Sequence, residues 1–171
     1  MNDSGLTPAE LIRAWSEAIE QPEVAEGLRS LHELIAAEVA RERPVCLASG
    51  RCCHFERYDH RLYVTGLDVV WCVRSLRARG GPPSGLAEIA AAKERGDCPF
   101  LLVDRVCGAH LERPLGCRIF FCDRAARTWQ EDLYQRTHEA LRLLHERHAI
   151  PYRYGEWRMM LEMVARANPS S

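Results

Sequence analysis

Apolar residues recur at helical spacing at both ends of the chain and lose that spacing in the middle. Leu11, Ile12, Trp15 and Ile19 fall three or four residues apart. Ahead of them, Thr7-Pro8-Ala9-Glu10 supplies a hydroxyl cap, Pro at the first helical position and a Glu that can bond back to the cap backbone. A second helix is predicted after Pro22, with Val24, Leu28, Leu31, Leu34, Ile35 and Val39 as its stripe. It stops before Pro44, because a proline steers the preceding residue out of the α region. From Val45 to His60 the periodicity vanishes and the segment reads as an ordered loop.

Tyr63 and Val64 suit a short extended piece, and Thr65-Gly66-Leu67-Asp68 reads as the cap of a helix through Val69, Val70, Val73 and Leu76. Gly80-Gly81-Pro82-Pro83 ends it. Ser84 is expected to cap a short Ala-rich helix ending near Gly96, and Pro99 to Val106 reads as a strand or hairpin. Asp123 is the expected cap of a helix running through Ala126, Trp129, Leu133, Ala140, Leu141 and Leu144 and ending before Pro151. A last helix from about Gly155 offers Trp157, Met160, Leu161 and Val164 to a core. The expected fold class is mainly α: a single small domain, residues 1–171, of helices packed around an irregular Cys-rich metal-binding centre with at most short strands. The Cys-cluster region spans 46–123, between N-terminal helices 7–42 and C-terminal helices 123–167.

Composition changes this picture little. The 171 residues, 47% of them apolar, suit one ordinary core. A net charge of −1 creates no field that would draw the chain to nucleic acid or an anionic membrane. No basic start followed by an apolar segment opens the sequence, and no stretch is apolar enough to span a bilayer. A cytoplasmic location with no membrane partner follows as the expectation. All basic residues but Lys93 are Arg, which fits a bias of coding composition more simply than a need for bidentate contacts.

Cysteine content matters more. Eight cysteines in a reducing compartment point to metal binding or redox chemistry rather than disulfides. Seven of them, Cys46, Cys52, Cys53, Cys98, Cys107, Cys117 and Cys122, lie in the irregular centre and are candidate ligands. Thiolate suits zinc, Cu(I) and iron–sulfur centres. Seven exceed the four that one tetrahedral zinc takes, so there are either spare thiols or more than one metal ion. Cys52 and Cys53 reach one centre only if the chain turns sharply between them. Arg51, Arg113 and Arg118 sit close to the cysteines in sequence and read either as donors that compensate thiolate charge or as solvated surface arginines. Cys72 sits in an apolar helical run and reads as a packing residue outside the site. His54 and His110 adjoin the cysteines, with a packing or surface role the simpler reading, and His138, His145 and His148 read as solvated helix residues. Nucleotide-binding loop, nucleophile elbow and His-Glu-x-x-His motifs are all missing, so no catalytic residue is identified.

Three motifs, Cys46-Leu-Ala-Ser49-Gly50-Arg51-Cys52-Cys53, Cys98-Pro99-Phe100-Leu101, and Cys107 leading to Arg113-Pro114-Leu-Gly-Cys117-Arg118-Ile-Phe120, occur in order. Together they resemble the YkgJ-like cysteine-cluster family, described as zinc- or iron-chelating. The resemblance covers about residues 46 to 123 and implies zinc or iron as cofactor, mononuclear or as an iron–sulfur cluster, with a metal ion as partner. It does not fix one activity, since a flagellin lysine methylase carries a similar cluster. Ser49 stands where the family commonly has a second cysteine, which would leave a coordination position open or pass that role to Cys122. The leading functional expectation is therefore a metal-binding cysteine-cluster protein. The alternatives are an iron–sulfur-dependent redox or modifying enzyme and a zinc-stabilised nucleic-acid or protein interaction module. Nucleic acid is the weaker partner, because Asp123 and the near-neutral charge offset Arg118, Arg124 and Arg127.

Overall fold

The computed structural model describes residues 5–47, 49–82 and 85–167. It contains helices α1 (Pro8–Ala18), α2 (Pro22–Glu42), α3 (Gly66–Ala78), α4 (Leu86–Arg95), α5 (Leu115–Ile119), α6 (Arg127–Arg147) and α7 (Trp157–Ala167). Two short strands, β1 (Tyr63–Thr65) and β2 (Tyr154–Glu156), and a 3-10 turn at Arg51–Cys53 complete the described regular structure. The chain is thus mainly α with short strands, as the periodicity implies.

Local chemistry accounts for the helix ends. At α1 the Thr7 hydroxyl accepts from the Glu10 N–H and the Glu10 carboxylate accepts from the Thr7 N–H, so two otherwise unpaired donors are satisfied. Helix α2 starts on Pro22 and ends as Arg43 turns into the left-handed region before Pro44. The Thr65 hydroxyl accepts from the Asp68 N–H and opens α3. The predicted Ser84 cap lies outside the described residues. Asp123 does not cap α6, whose cap position is Ala126; its carboxylate accepts instead from Ala125 N–H and, across the loop, from Val45 N–H. The segment 99–106 forms a turn closed by a single bridge between Leu101 and Cys107 rather than a hairpin of two strands.

Helix α3 is the central element, buried at Gly66, Leu67, Asp68, Val69, Val70, Cys72, Val73 and Leu76. It packs against α1 and α7, while α2, α5 and α6 pack on one another and α4 on α7. Strands β1 and β2 pair antiparallel, Val64 opposite Gly155, and each runs directly into a helix, so the pair holds the starts of α3 and α7 side by side. Cys72 is fully buried in this core, as its apolar neighbours predict. His145 corrects the expectation of a solvated residue: its ring is fully buried and neither nitrogen has a hydrogen-bond partner. A helix period read over few apolar residues does not say which face a histidine takes. Among the described residues no helix is long and apolar enough to cross a membrane.

Trp15 ties α1 to this centre. Its ring is fully buried, its Nε1–H donates to the Pro151 carbonyl at 2.7 Å, and it lies flush against Gly66. A Cβ at Gly66 would sit 2.0 Å from Trp15 Cε2, so only glycine fits there. Gly66→Ala should therefore lower the unfolding free energy by about 3 kcal/mol, read from urea titrations.

His145 makes stability pH-dependent. Burial lowers its pKa from 6.5 to about 4, outweighing the pull of the Ile150 and Pro151 backbone. Between those values the unfolded chain binds the extra proton, so the contribution is fully present above pH 6.5 and is lost as pH falls toward 4. His145→Leu should gain on wild type by about 3 kcal/mol between pH 7 and pH 4, measured by urea denaturation at both. His32 and Asp68, also shifted by burial, are common to both proteins and cancel in the difference.

Candidate functional site

The irregular centre is built on one sharp turn. Gly50 takes a left-handed φ of 70°, a Cβ there would sit 3.0 Å from the Arg105 carbonyl oxygen, and the chain then winds through the 3-10 turn. This turn rotates the adjacent Cys52 and Cys53 so that one is exposed and one buried, yet their sulfurs are only 4.0 Å apart. The sharp turn that a shared centre requires is thus present. The loop is sewn to the next cysteine segment by backbone bonds: Cys98 N–H donates to the Cys53 carbonyl at 2.7 Å, Glu56 N–H to Gly96 and Gly108 N–H to Phe100.

Helix α5 adds the opposite wall. This five-residue helix has no side-chain cap of its own, and the buried Asp68 carboxylate of α3 reaches across to accept the Leu115 N–H with both oxygens at 3.2 Å. Burial raises the Asp68 pKa to about 7, against the pull of that hydrogen bond and of Arg118. Asp68 thereby positions Arg113, Cys117 and Phe120. It gives no sequence signal beyond that of an ordinary first-turn acid.

The thiols form a network centred on Cys53, whose sulfur has Cys107, Cys52 and Cys98 as hydrogen-bonding neighbours. These neighbours and burial push the Cys53 thiol strongly up, so it stays protonated and donates. That donation is the main reason Cys52 falls to about 6, helped by Arg113 and His60 and opposed by burial. Cys107 falls to about 7 for the same leading reason. Burial raises Cys117 well above the ordinary thiol range.

Around these thiols lies a cavity of about 490 Å³. Six of the seven candidate cysteines, Cys52, Cys53, Cys98, Cys107, Cys117 and Cys122, line it, whereas Cys46 is exposed and outside the lining. Arg51 and Arg113 line it too, but Arg118 turns away to donate to the carbonyls of Arg113 and Leu111. His54 is held by Asp97 at 2.6 Å and, like His110, is not in the lining. Sequence reading missed the aromatic walls Phe55, Tyr134, Tyr154 and Trp157, because aromatics at helical spacing or in loops read simply as core.

The expected metal centre is corrected by this geometry. Among the described residues no group of three or more His, Cys, Asp and Glu side chains is arranged to hold a metal ion. Cys52, Cys98 and Cys107 gather on the sulfur of Cys53, so a thiol occupies the middle of the cluster rather than a space for a cation. Cys122 faces Ser49, with 4.0 Å between its sulfur and the hydroxyl, which removes the open coordination position inferred there. Zinc, iron and an iron–sulfur cluster as cofactor, a metal ion as partner, the iron–sulfur enzyme and the zinc-stabilised module are set aside with it. No protein-family model, curated protein or solved structure matches the chain. The YkgJ-like resemblance is therefore confined to short motifs and is not upheld by the arrangement of the thiols.

The electrostatics predict selective reactivity at Cys52. Its alkylation rate by iodoacetamide should rise with an inflection near pH 6, whereas an ordinary thiol would inflect near 9.0. At pH 7 the larger thiolate fraction outweighs the weaker nucleophilicity that accompanies a lower pKa, leaving Cys52 about 3- to 6-fold faster than an unperturbed thiol. Cys53→Ala removes the donor and should move the inflection up by at least about one unit, followed by peptide mass spectrometry.

Proposed function

We propose that this chain is a thiol-based redox protein, in which Cys52 is the attacking sulfur and a second thiol of its cluster, Cys107, resolves the product. The observation that carries this reading is the exposed residue Cys52, its sulfur 4.0 Å from the Cys53 thiol, in the lining of a cavity that the other cluster thiols also line. An accessible, low-pKa cysteine beside a second thiol is the arrangement that reversible thiol oxidation needs. All eight cysteines are free, which suits a reducing, cytoplasmic setting. Cys98, Cys117 and Cys122 complete the site as wall residues that set its polarity.

The reaction balances with an organic disulfide as oxidant. The Cys52 thiolate attacks one substrate sulfur, the substrate S–S bond breaks, and one thiolate leaves with the electron pair. The resolving thiol, having lost its proton to solvent, then attacks the Cys52 sulfur, forms the protein disulfide and expels the second substrate thiolate. Two protein thiols are oxidised as one disulfide is reduced.

The test is equilibration of the reduced full chain in graded glutathione redox buffers, followed by differential alkylation and peptide mapping. The expected product is one intramolecular disulfide joining Cys52 to Cys107, reversed on lowering the potential. Cys52→Ser should slow its formation about tenfold or more. Retention of eight free thiols across the series, or oxidation that begins at Cys46, would rule the reading out.

A further inference from the structure

The charge of the cavity is one-sided. Its lining includes Arg51, Arg61, Arg113, Arg124 and His60 but no Asp or Glu. Arg61 is neutralised from outside by Glu56 at 3.3 Å. Arg51, Arg113 and Arg124 have no carboxylate partner among the described residues: Arg51 lies 4.5 Å over the Tyr58 ring and Arg113 donates to the His110 carbonyl. Elsewhere arginines meet acids readily, as at Arg142 with Glu139 and Glu146, Arg158 with Glu56 and Glu156, and Arg74 with Glu20. The Cys52 and Cys107 thiolates offset Arg113 in part, and the remaining unpaired cations around a partly enclosed space leave binding energy to a ligand that brings negative charge itself.

The rest of the lining sets the ligand's body. Phe55, Phe100, Tyr134, Tyr154 and Trp157 supply aromatic faces, and the volume is that of a small-molecule site rather than of a groove for a folded partner. From the unpaired arginines, the aromatic walls and the thiols in one cavity, we infer that it selects organic anions with an aromatic or extended apolar body as partners of Cys52. The arginines hold the anionic group and the aromatic rings the body, which places a reducible sulfur over the exposed thiol. This deepens the redox reading and rests on it.

The test compares two aromatic disulfides that differ in charge: the dicarboxylate dithiobis(nitrobenzoate) and neutral dithiodipyridine. Either is attacked by the Cys52 thiolate to give a mixed disulfide and one free thiolate, and resolution releases the second. Cys46, exposed and outside the lining, is the internal reference. Rates at each cysteine come from quenched alkylation and peptide mass spectrometry, and thiolate release from absorbance. The expected result is saturation kinetics for the dicarboxylate at Cys52, with an anionic-to-neutral rate ratio about tenfold above that at Cys46. The preference should shrink with added salt and in the double variant Arg51→Gln, Arg124→Gln. Equal ratios at Cys52 and Cys46 overturn the inference and leave the redox reading intact. A clear preference without release of the second thiolate overturns the redox reading and leaves the anion selectivity standing. An inert Cys52 overturns both.

Discussion

The antiparallel pairing of two three-residue strands is the constraint on which the rest of the molecule depends. Tyr63 to Thr65 and Tyr154 to Glu156 are about 90 residues apart in sequence, and closing that distance fixes where α3 and α7 begin. The link is reinforced on both sides, since Trp157 N–H donates to the Leu62 carbonyl and Gly66 N–H to that of Arg153. With the two starts adjacent, Asp68 on α3 can hold α5, Trp157 on α7 can meet Phe100, and Tyr63 can stack on Tyr154. Those side chains are the frame of the cavity. A sheet this small contributes little by its own hydrogen bonds and works as a clamp because buried helices continue from both strands.

Within that frame the chemistry turns on a single proton. Cys53 keeps its S–H because Cys107, Cys52 and Cys98 crowd it and burial disfavours its charge. One S–H can donate to only one thiolate at a time, so Cys52 and Cys107 compete for it. Arg113 assists both, His60 assists Cys52, and Cys52 is the more exposed, which on the proposed reading makes it the attacking sulfur. Cys107 is held back by repulsion from an ionised Cys52, a repulsion that disappears once Cys52 is in a disulfide. On the proposed redox reading these electrostatics set Cys52 as the attacking sulfur and Cys107 as the one that follows.

Helices were legible in the sequence wherever a cap and an apolar stripe coincided, as with Thr7 and Glu10 ahead of Leu11, Ile12 and Trp15. The strand pair was only half legible. Tyr63 and Val64 have the residue types of a strand, but Tyr154-Gly155-Glu156 does not, and at Gly155, opposite Val64, a Cβ would come within 2.9 Å of the Met160 sulfur. The gathering of cysteines was legible in the sense that six of seven candidates line one cavity. Its chemical meaning was not, because spacing reports which thiols are near in sequence and says nothing of whether they point at a common void or at one another. Asp123 shows the same limit at a cap: an acid four residues before a helix can as well close a turn and catch a distant N–H.

A loop this irregular, without a metal, must be held by other means, and Arg158 is the chief of them. This α7 residue is nearly buried, its guanidinium 2.9 Å from Glu56 and 3.1 Å from Glu156 and 5.2 Å from the Phe55 ring. It therefore pins the segment after Cys53 to the helix that follows β2. Phe55 and Phe100 are both about 1% exposed. Burying each contributes about 1.5–3 kcal/mol. Backbone bonds from Cys98 to Cys53 and from Gly108 to Phe100 satisfy the polar groups that the loop would otherwise bury unpaired. Packing, an ion pair and backbone pairing together hold the turn, while Cys53 and Cys98 belong to the buried core and Cys52 stays exposed. On the proposed redox reading Cys52 is therefore the thiol whose covalent state can change with least disturbance to the fold, because the side chains that hold the loop do not depend on it.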